Sequence, residues 1–358
     1  MRYLRLQHQH LTGSKLDDPA EVVRSLVAVQ AQDYYGAKWA LAQRTTGSKD
    51  AEVEKAINDG RILRLHVMRP TWHFVGPEDI RWLVKLTAPR VNAASRSYYR
   101  KAELDDALFK RTNKILTKVL LGGKHLTRAE LRVAVNRAGI EPGDSMRLGH
   151  IMHRAELDGV VCSGARRGNQ FTYALLDERV PKSRVLDMDE ALGELVTRYF
   201  TTRGPATVQD FVWWSGLTIT QAKSGIQIAG PALKSEVIEN ATYMSSSNTR
   251  RETGLIRQAH LLPAYDEYFI AYKDRSVGIH PNFDKKGIAE KILFDSPLML
   301  DGQVVGGWKR LFGKNVVTIT LRPFVSVSKR DRALIVLAAE KYAEFLELDT
   351  RIQWATEV

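Results

Sequence analysis

The chain repeats a local pattern. Lys55–Val75 (KAINDGRILRLHVMRPTWHFV) and Ala155–Leu175 (AELDGVVCSGARRGNQFTYAL) each carry a helix end, an Asp-Gly pair and two short β-rich runs around a basic turn. Gly60 and Gly159 stand where a helix closes in the left-handed C′ conformation. The turns are Met68-Arg69-Pro70 in one copy and Gly164 to Asn169 in the other. Helix, strand, basic turn, strand is the second half of a winged helix unit. Upstream of the second copy, Thr127-Arg128-Ala129-Glu130 reads as a capping box. A turn from Gly139 to Asp144 follows, then a helix with Leu148, Ile151, Met152 and Ala155 on one face. A third copy begins at the cap Thr207, carries Phe211, Trp213 and Trp214, opens another helix near Thr218 and ends in the hairpin run LKSEVIENATYM.

The repeat predicts an α+β chain: three tandem winged helix units (helix-turn-helix plus β-hairpin wing), then a small C-terminal antiparallel β-barrel or sheet with a terminal helix. The expected divisions are 1–88 for the first unit, 89–118 for a basic helical connector, 119–180 and 181–255 for the second and third units, and 256–358 for the C-terminal part. The runs HLLPAYDEYFIAYKDRS, PLMLDGQVVGGWKRLF and NVVTITLRPFV are β-rich, with turn signals at Asp301-Gly302 and Gly313. In the closing segment Leu334, Leu337, Ala338, Lys341, Tyr342 and Phe345 keep a helical period, so that helix is expected to pack on the sheet.

Charge points to the partner. Lys and Arg number 53 against 41 Asp and Glu, a net +12. A basic chain built of helix-turn-helix units suits double-stranded DNA, with most contacts to phosphate. Arg166 and Arg167 at a wing tip, Arg69, Trp72 and His73 in the first hairpin, and Lys309 and Arg310 near the C-terminus are the candidate DNA contacts. A monomer is the default, since one chain already carries several binding units.

Other chemistries find little support. No apolar run approaches the roughly 18–20 residues of a membrane span. The N-terminal MRYLRLQHQHL lacks the apolar core of a signal peptide, so a cytoplasmic, nucleoid-associated protein is expected. The single cysteine, Cys162, excludes an intramolecular disulfide and a Cys-rich zinc site. His150 and His153 are spaced i, i+3 without a zincin glutamate, so no metal is expected. No Gly-rich phosphate loop, dinucleotide fingerprint or nucleophile elbow occurs, so no nucleotide or other cofactor is expected.

One stretch remains unexplained: VAVQAQDYYGAKWAL, Val27–Leu41, with Gln30 and Gln32 one residue apart. Ala20–Gln30 reads as a helix whose inner face carries Val22, Val23, Leu26 and Val27. Residues i and i+2 do not share a helix face, so the two amides converge only if the helix ends or the backbone is extended there. Asp33-Tyr34-Tyr35-Gly36 signals such an end.

That stretch, with LRLHVMRPTWHFVGPEDIRWL and LLPAYDEYFIAYKDRS, resembles the bacterial AlkZ/YcaQ-type DNA glycosylases, in the same order over nearly the whole chain. The specific element is Gln-x-Gln, here Gln30-Ala31-Gln32; its second Gln sides with the AlkZ-like branch. The resemblance implies excision of N7-alkylated purines and, in some members, unhooking of interstrand crosslinks. It also gives the amides a role. An N7-alkylated purine is cationic and leaves without protonation, so the enzyme must place a water and stabilise an oxocarbenium-like sugar. Gln30 and Gln32 are then the catalytic pair that positions the water, with Asp33 as electrostatic support or a helix cap. The partner is duplex DNA carrying alkylated bases. Two rival readings stay open: a non-catalytic winged helix DNA-binding protein or transcription regulator, and an enzyme using Asp266, Glu267 and Asp274 as carboxylates.

Overall fold

Side-chain caps set most of the helix starts. The computed structural model describes residues 1–249, 257–280 and 296–355. After α1 (Arg2–His8), Asp18 accepts from the Ala20 amide at 2.7 Å and, with Pro19 in the first turn, opens α2 (Pro19–Leu26). Strand β1 (Ala28–Gln30) follows, then α3 (Tyr34–Ala42), α4 (Asp50–Asn58) and the hairpin of β2 (Leu63–Val67) and β3 (Arg69–Val75). The three strands form one antiparallel sheet in the order β1-β3-β2.

The next stretch repeats the scheme. It runs α5 (Ile80–Lys101), α6 (Asp106–Leu120), β4 (Leu126–Thr127), α7 (Arg128–Arg137), α8 (Ser145–Leu157), β5 (Val161–Ser163) and β6 (Thr172–Leu175), with sheet order β4-β6-β5. Thr127 and Glu130 make the expected reciprocal capping box. Then come α9 (Leu176–Arg179), α10 (Met188–Arg203), α11 (Val208–Ser215), α12 (Ile219–Ala229) and the hairpin β7 (Leu233–Ile238) and β8 (Ala241–Ser246). Thr207 and Thr218 cap α11 and α12. Glu239 and Asn240 both take positive φ, the requirement of a two-residue hairpin turn that follows strand twist.

The last part holds β9 (Ala259–Leu261), α13 (Glu267–Ile270), β10 (Ser296–Leu300), β11 (Gln303–Phe312), β12 (Val316–Pro323), α14 (Lys329–Leu346) and β13 (Asp349–Trp354). Its sheet runs β13-β12-β11-β10-β9. No helix among the described residues is long and apolar enough to cross a membrane.

Several expectations are corrected. The C-terminal sheet is mixed: β13 runs parallel to β12, because α14 carries the chain back to the same end before it re-enters the sheet. Among the described residues a strand, β13, therefore follows α14. The segment around Tyr265 is not a long strand; Asp266 caps the short α13. Leu337 is exposed and Ile335 takes its place on the buried face of α14. Helix α5 runs unbroken through Pro89, so the division at 88/89 falls inside a helix. The division at 255/256 lies outside the described residues. The helix expected over 20–30 stops at Leu26, for a reason that belongs to the site.

Two large apolar cores meet at β1. Val27 and Ala28 belong to the core built on the β2–β3 hairpin, α5, α10 and α11. Val29 and Ala31 belong to the core that packs α2, α3 and α4 against the C-terminal sheet and α14. The strand carrying Gln30 is thus the seam between the two.

Candidate active site

Val27 ends α2 in an unusual conformation, φ 66° and ψ −53°, although it is β-branched and fully buried. A branched side chain avoids positive φ, at a cost of about 1–3 kcal/mol, so surrounding groups must hold it there. Arg203, at the end of α10, does so: its guanidinium donates to the Leu26 carbonyl at 3.0 Å and to the Ala28 carbonyl at 3.0 Å, one on each side of Val27. Glu267 completes the clamp. Its Oε2 accepts from Arg203 at 2.6 Å and from the Trp214 indole at 3.0 Å, and its Oε1 accepts from the Gln30 amide at 3.0 Å. Arg203 and Glu267 are both fully buried, so each charge is tolerable only because the other is present.

The kink turns the chain into β1, where Ala28, Val29 and Gln30 pair with Val75, Phe74 and His73 of β3. The extended path continues one residue further: the Ala31 amide donates to the Trp72 carbonyl at 2.7 Å, and Arg64 donates to the Ala31 carbonyl at 3.1 Å. Gln30 is 9% exposed, whereas Gln32 lies exposed in the bend leading to α3. The condition set by the sequence is met: the helix has ended and the backbone between the two amides is extended. Asp33 accepts from the Gly36 amide at 3.1 Å as the cap of α3 and lies 3.8 Å from Arg310 of β11.

The β3 strand supplies the floor. Arg69, Thr71 and His73 alternate onto one face. Only Met68 takes the turn conformation, with φ 62°, so Arg69 already belongs to the strand and is half-buried. His73 is completely buried, and the expectation of a direct DNA contact from it is corrected: pairing with Gln30 turns it inward. Burial, and next the positive charge of Arg69, push its imidazole well below the ordinary range. Burial likewise lowers the Arg69 guanidinium, against the opposing pull of Glu267. Gln30 Oε1, Arg69 Nε and Nη2, Thr71 Oγ1 and His73 Nε2 are buried with no protein partner.

The opposite face of the hairpin opens on a cleft. Trp72 packs 4.3 Å from the His66 ring, and the Arg64 guanidinium lies 4.5 Å over the Trp72 ring. The cleft, about 510 Å³, is lined by Trp72, Tyr98, His150, His153 and Tyr173 among others. His150 and His153 thus line it together with aromatic rings, and no cluster of three metal-ligating side chains occurs among the described residues.

The remaining candidates divide. Arg166 is packed 5.0 Å over the Tyr34 and Phe171 rings and pairs with Glu54 at 3.4 Å, which makes it an internal clasp. Arg167 is exposed and pairs with Glu130 at 2.7 Å. Lys309 is exposed on β11, while Arg310 reaches back over Tyr342 at 5.6 Å. Beyond them the β11–β12 tip exposes Leu311 and Phe312. The structure therefore brings Gln30, Arg69 and His73 onto one sheet face, leaves Gln32 exposed two residues beyond Gln30 and sets Arg310 near Asp33; Trp72 lies on the opposite face, and Arg167 is paired with Glu130. Asp266 and Glu267 are not free carboxylates: Asp266 is held by Arg44 at 2.7 Å and Glu267 by Arg203. Sequence reasoning missed Arg203, Trp214 and Thr71. The one available signal was a pair of acids set among aromatic residues in AYDEYF, a composition that favours burial.

Comparison with known proteins adds the family. A sequence model described as DNA glycosylase AlkZ-like matches residues 23–345. An interstrand DNA cross-link repair glycosylase of Streptomyces sahachiroi is 24% identical over 354 residues, covering 95% of this chain and 92% of that protein. The solved structure of Streptomyces sahachiroi DNA glycosylase AlkZ superposes with a TM-score of 0.81 at 21% identity, covering 98% of both chains.

Proposed function

The chain belongs to the AlkZ-like DNA glycosylase family, and from that premise we propose that it hydrolyses the N-glycosidic bond of N7-alkylated, cationic purines in double-stranded DNA, with Gln30 and Gln32 placing the attacking water. The observation that carries this reading is Gln30 Oε1, buried without a donor at the end of a strand whose carbonyls and amide are clamped by Arg203 and Glu267. A rigid acceptor suits a reaction in which the leaving group needs no proton and orientation of water is the remaining task. Gln32, exposed two residues on, meets the same water from the solvent side.

The helix-and-hairpin groups are read as three winged helix units that hold the duplex, with Trp72, Arg167, Lys309 and Arg310 near the DNA and one chain acting on each lesion. The relative in Streptomyces sahachiroi is named for interstrand cross-link repair, and this chain is proposed to unhook such crosslinks as well. A tethered guanine cannot leave the stack freely, so the base is only partly displaced when the bond is cut. The chemistry is monofunctional: Lys38, close to the motif in sequence, is buried between Asp50 and Glu54 at 2.8 Å each and offers no free amine for a Schiff base.

A duplex with a single N7-methylguanine, at low salt, tests the reading. Wild type should release the base and leave an alkali-cleavable abasic site, and Gln30→Ala and Gln32→Ala should lose release while still binding DNA. Tight binding without release from either a monoadduct or a crosslink would sink this substrate assignment.

A further inference from the structure

Gln30 and His73 are Cα partners in the β1–β3 pair. Their side chains therefore leave the sheet on the same face, with Cβ atoms about 4.5–5.5 Å apart. Both are at least nine-tenths buried, at 9% and 0% exposure. Gln30 Oε1 and His73 Nε2 each lack a protein partner.

The tautomer of His73 follows from its surroundings. Its Nδ1 lies 2.9 Å from the Thr71 carbonyl oxygen. A carbonyl can only accept, so Nδ1 carries the hydrogen. Burial and the Arg69 charge keep the ring neutral, which leaves Nε2 as a bare lone pair. Two acceptors then stand side by side, and neither the Arg69 nor the Arg203 guanidinium donates to them. A water molecule suits such a site: it is small, it has two hydrogens to give, and its own lone pairs stay free.

We propose that the nucleophilic water of the glycosylase reaction is held between Gln30 Oε1 and His73 Nε2, one hydrogen to each, which makes His73 a catalytic residue. This rests on the reading of Gln30 as a water-positioning group. With both hydrogens engaged, the oxygen presents its lone pairs away from the sheet, towards C1′. The N9–C1′ bond breaks and its electron pair stays with the purine, which thereby becomes neutral. The water oxygen bonds to C1′, and one of its hydrogens passes to His73 Nε2 and then to solvent. The oxygen attached to C1′ and still carrying two hydrogens is a strong acid, so a weakly basic imidazole suffices. Gln32, exposed two residues on, can give a side-chain N–H to the second lone pair of the water oxygen.

The test uses single-turnover release from the N7-methylguanine duplex by wild type, Gln30→Ala, His73→Phe and His73→Asn, with DNA affinity and chemical denaturation measured alongside. His73→Phe keeps bulk without an acceptor and should slow release by about 10²-fold or more at unchanged DNA affinity. Reactions in methanol–water separate catalysis from packing. Methanol has one hydrogen to donate and cannot satisfy both acceptors, so wild type should form almost no methyl glycoside and His73→Phe should form more. A wild-type product ratio that follows bulk composition would overturn the assignment. So would an Nε2–H tautomer of His73 in long-range ¹H–¹⁵N spectra of the wild type, a result that needs no variant to fold. If Gln30→Ala is inactive while folded His73→Phe is fully active, the role of His73 falls and the motif reading stands. If both variants retain release, the motif reading falls too.

Discussion

Arg203 and Glu267 meet at 2.6 Å with both side chains shut off from solvent. Between them they bind the Leu26 and Ala28 carbonyls and the Gln30 amide. The pair holds the backbone of the motif without supplying chemistry to it. Removing one member leaves a buried charge with no counterpart, a loss of about 3–5 kcal/mol. Glu267→Gln should therefore lower the unfolding free energy by that order in denaturant titration. The double replacement Arg203→Met with Glu267→Leu should cost less than Glu267→Gln alone. Equal or greater loss in the double variant would show that the pair is worth more than its mutual neutralisation.

Val27 offers a test of strain. Its side chain is fully buried, so Val27→Ala should destabilise through lost apolar contact. Val27→Gly removes still more of the side chain but also removes the conflict between Cβ and a φ of 66°. Glycine should be the milder substitution by about 1 kcal/mol, the reverse of the usual order. If alanine is the milder, the turn is not strained.

Gly216 closes α11 at φ 71°, and a Cβ there would lie 2.4 Å from the Met68 carbonyl oxygen, at the turn of the β2–β3 hairpin. Gly122 also has positive φ, 86°, but nothing lies within 4 Å. Gly122→Ala should cost about 1 kcal/mol for the backbone alone. Gly216→Ala should cost that and a further 1–3 kcal/mol or so for overpacking. Thermal melts of the two variants side by side decide it.

Acid should destabilise the fold well above the carboxylate range. Burial pushes the His153 and His260 imidazoles down to about 3, and His73 also lies well below its ordinary value. Above pH 6.5 these rings are neutral folded and unfolded, and pH has no effect through them. Below it the unfolded chain binds protons that the folded one refuses, so stability falls by about 1.4 kcal/mol per pH unit for each group until the folded pKa is reached. Denaturation at pH 7, 6, 5 and 4 should show a slope above one proton, reduced in His153→Gln. A flat profile over this window would contradict the burial of these rings.

Two adjacent arginines should separate in salt titrations of DNA binding. Arg167 is exposed; its loss should lower the slope of log K against log salt by about 0.9. Arg166 clasps Tyr34, Phe171 and Glu54, so Arg166→Ala should act on stability and leave that slope unchanged.

The sequence made some of this legible. Thr127 with Glu130, Thr207 and Thr218 are caps whose bonds are local, so the chain announces them directly. The hairpins at Met68 and at Glu239-Asn240 follow from turns flanked by β-rich runs. Gln30 and Gln32 were visible as a pair because two amides in an apolar setting are unusual. The end of α2 was not, since nothing local tells a β-branched Val27 to take positive φ; Arg203, distant in sequence, imposes it. For the same reason Glu267 read as a candidate catalytic carboxylate of a rival enzyme and His73 as a DNA contact. Each is fixed by a partner on another element. The parallel entry of β13 was hidden too, because strand direction is decided by where α14 returns the chain.

The contact between the Gln30 amide and Glu267 spans 237 residues, and that between Arg203 and Ala28 spans 175. A ribosome making this chain finishes the glutamine motif early and its last anchor late. The nascent protein should thus hold its basic, DNA-attracting surface for much of its synthesis while its cutting site is still unassembled. Chains that stop short of Glu267 lack the acceptor of the Gln30 amide, so the strand that carries the motif is left without that anchor.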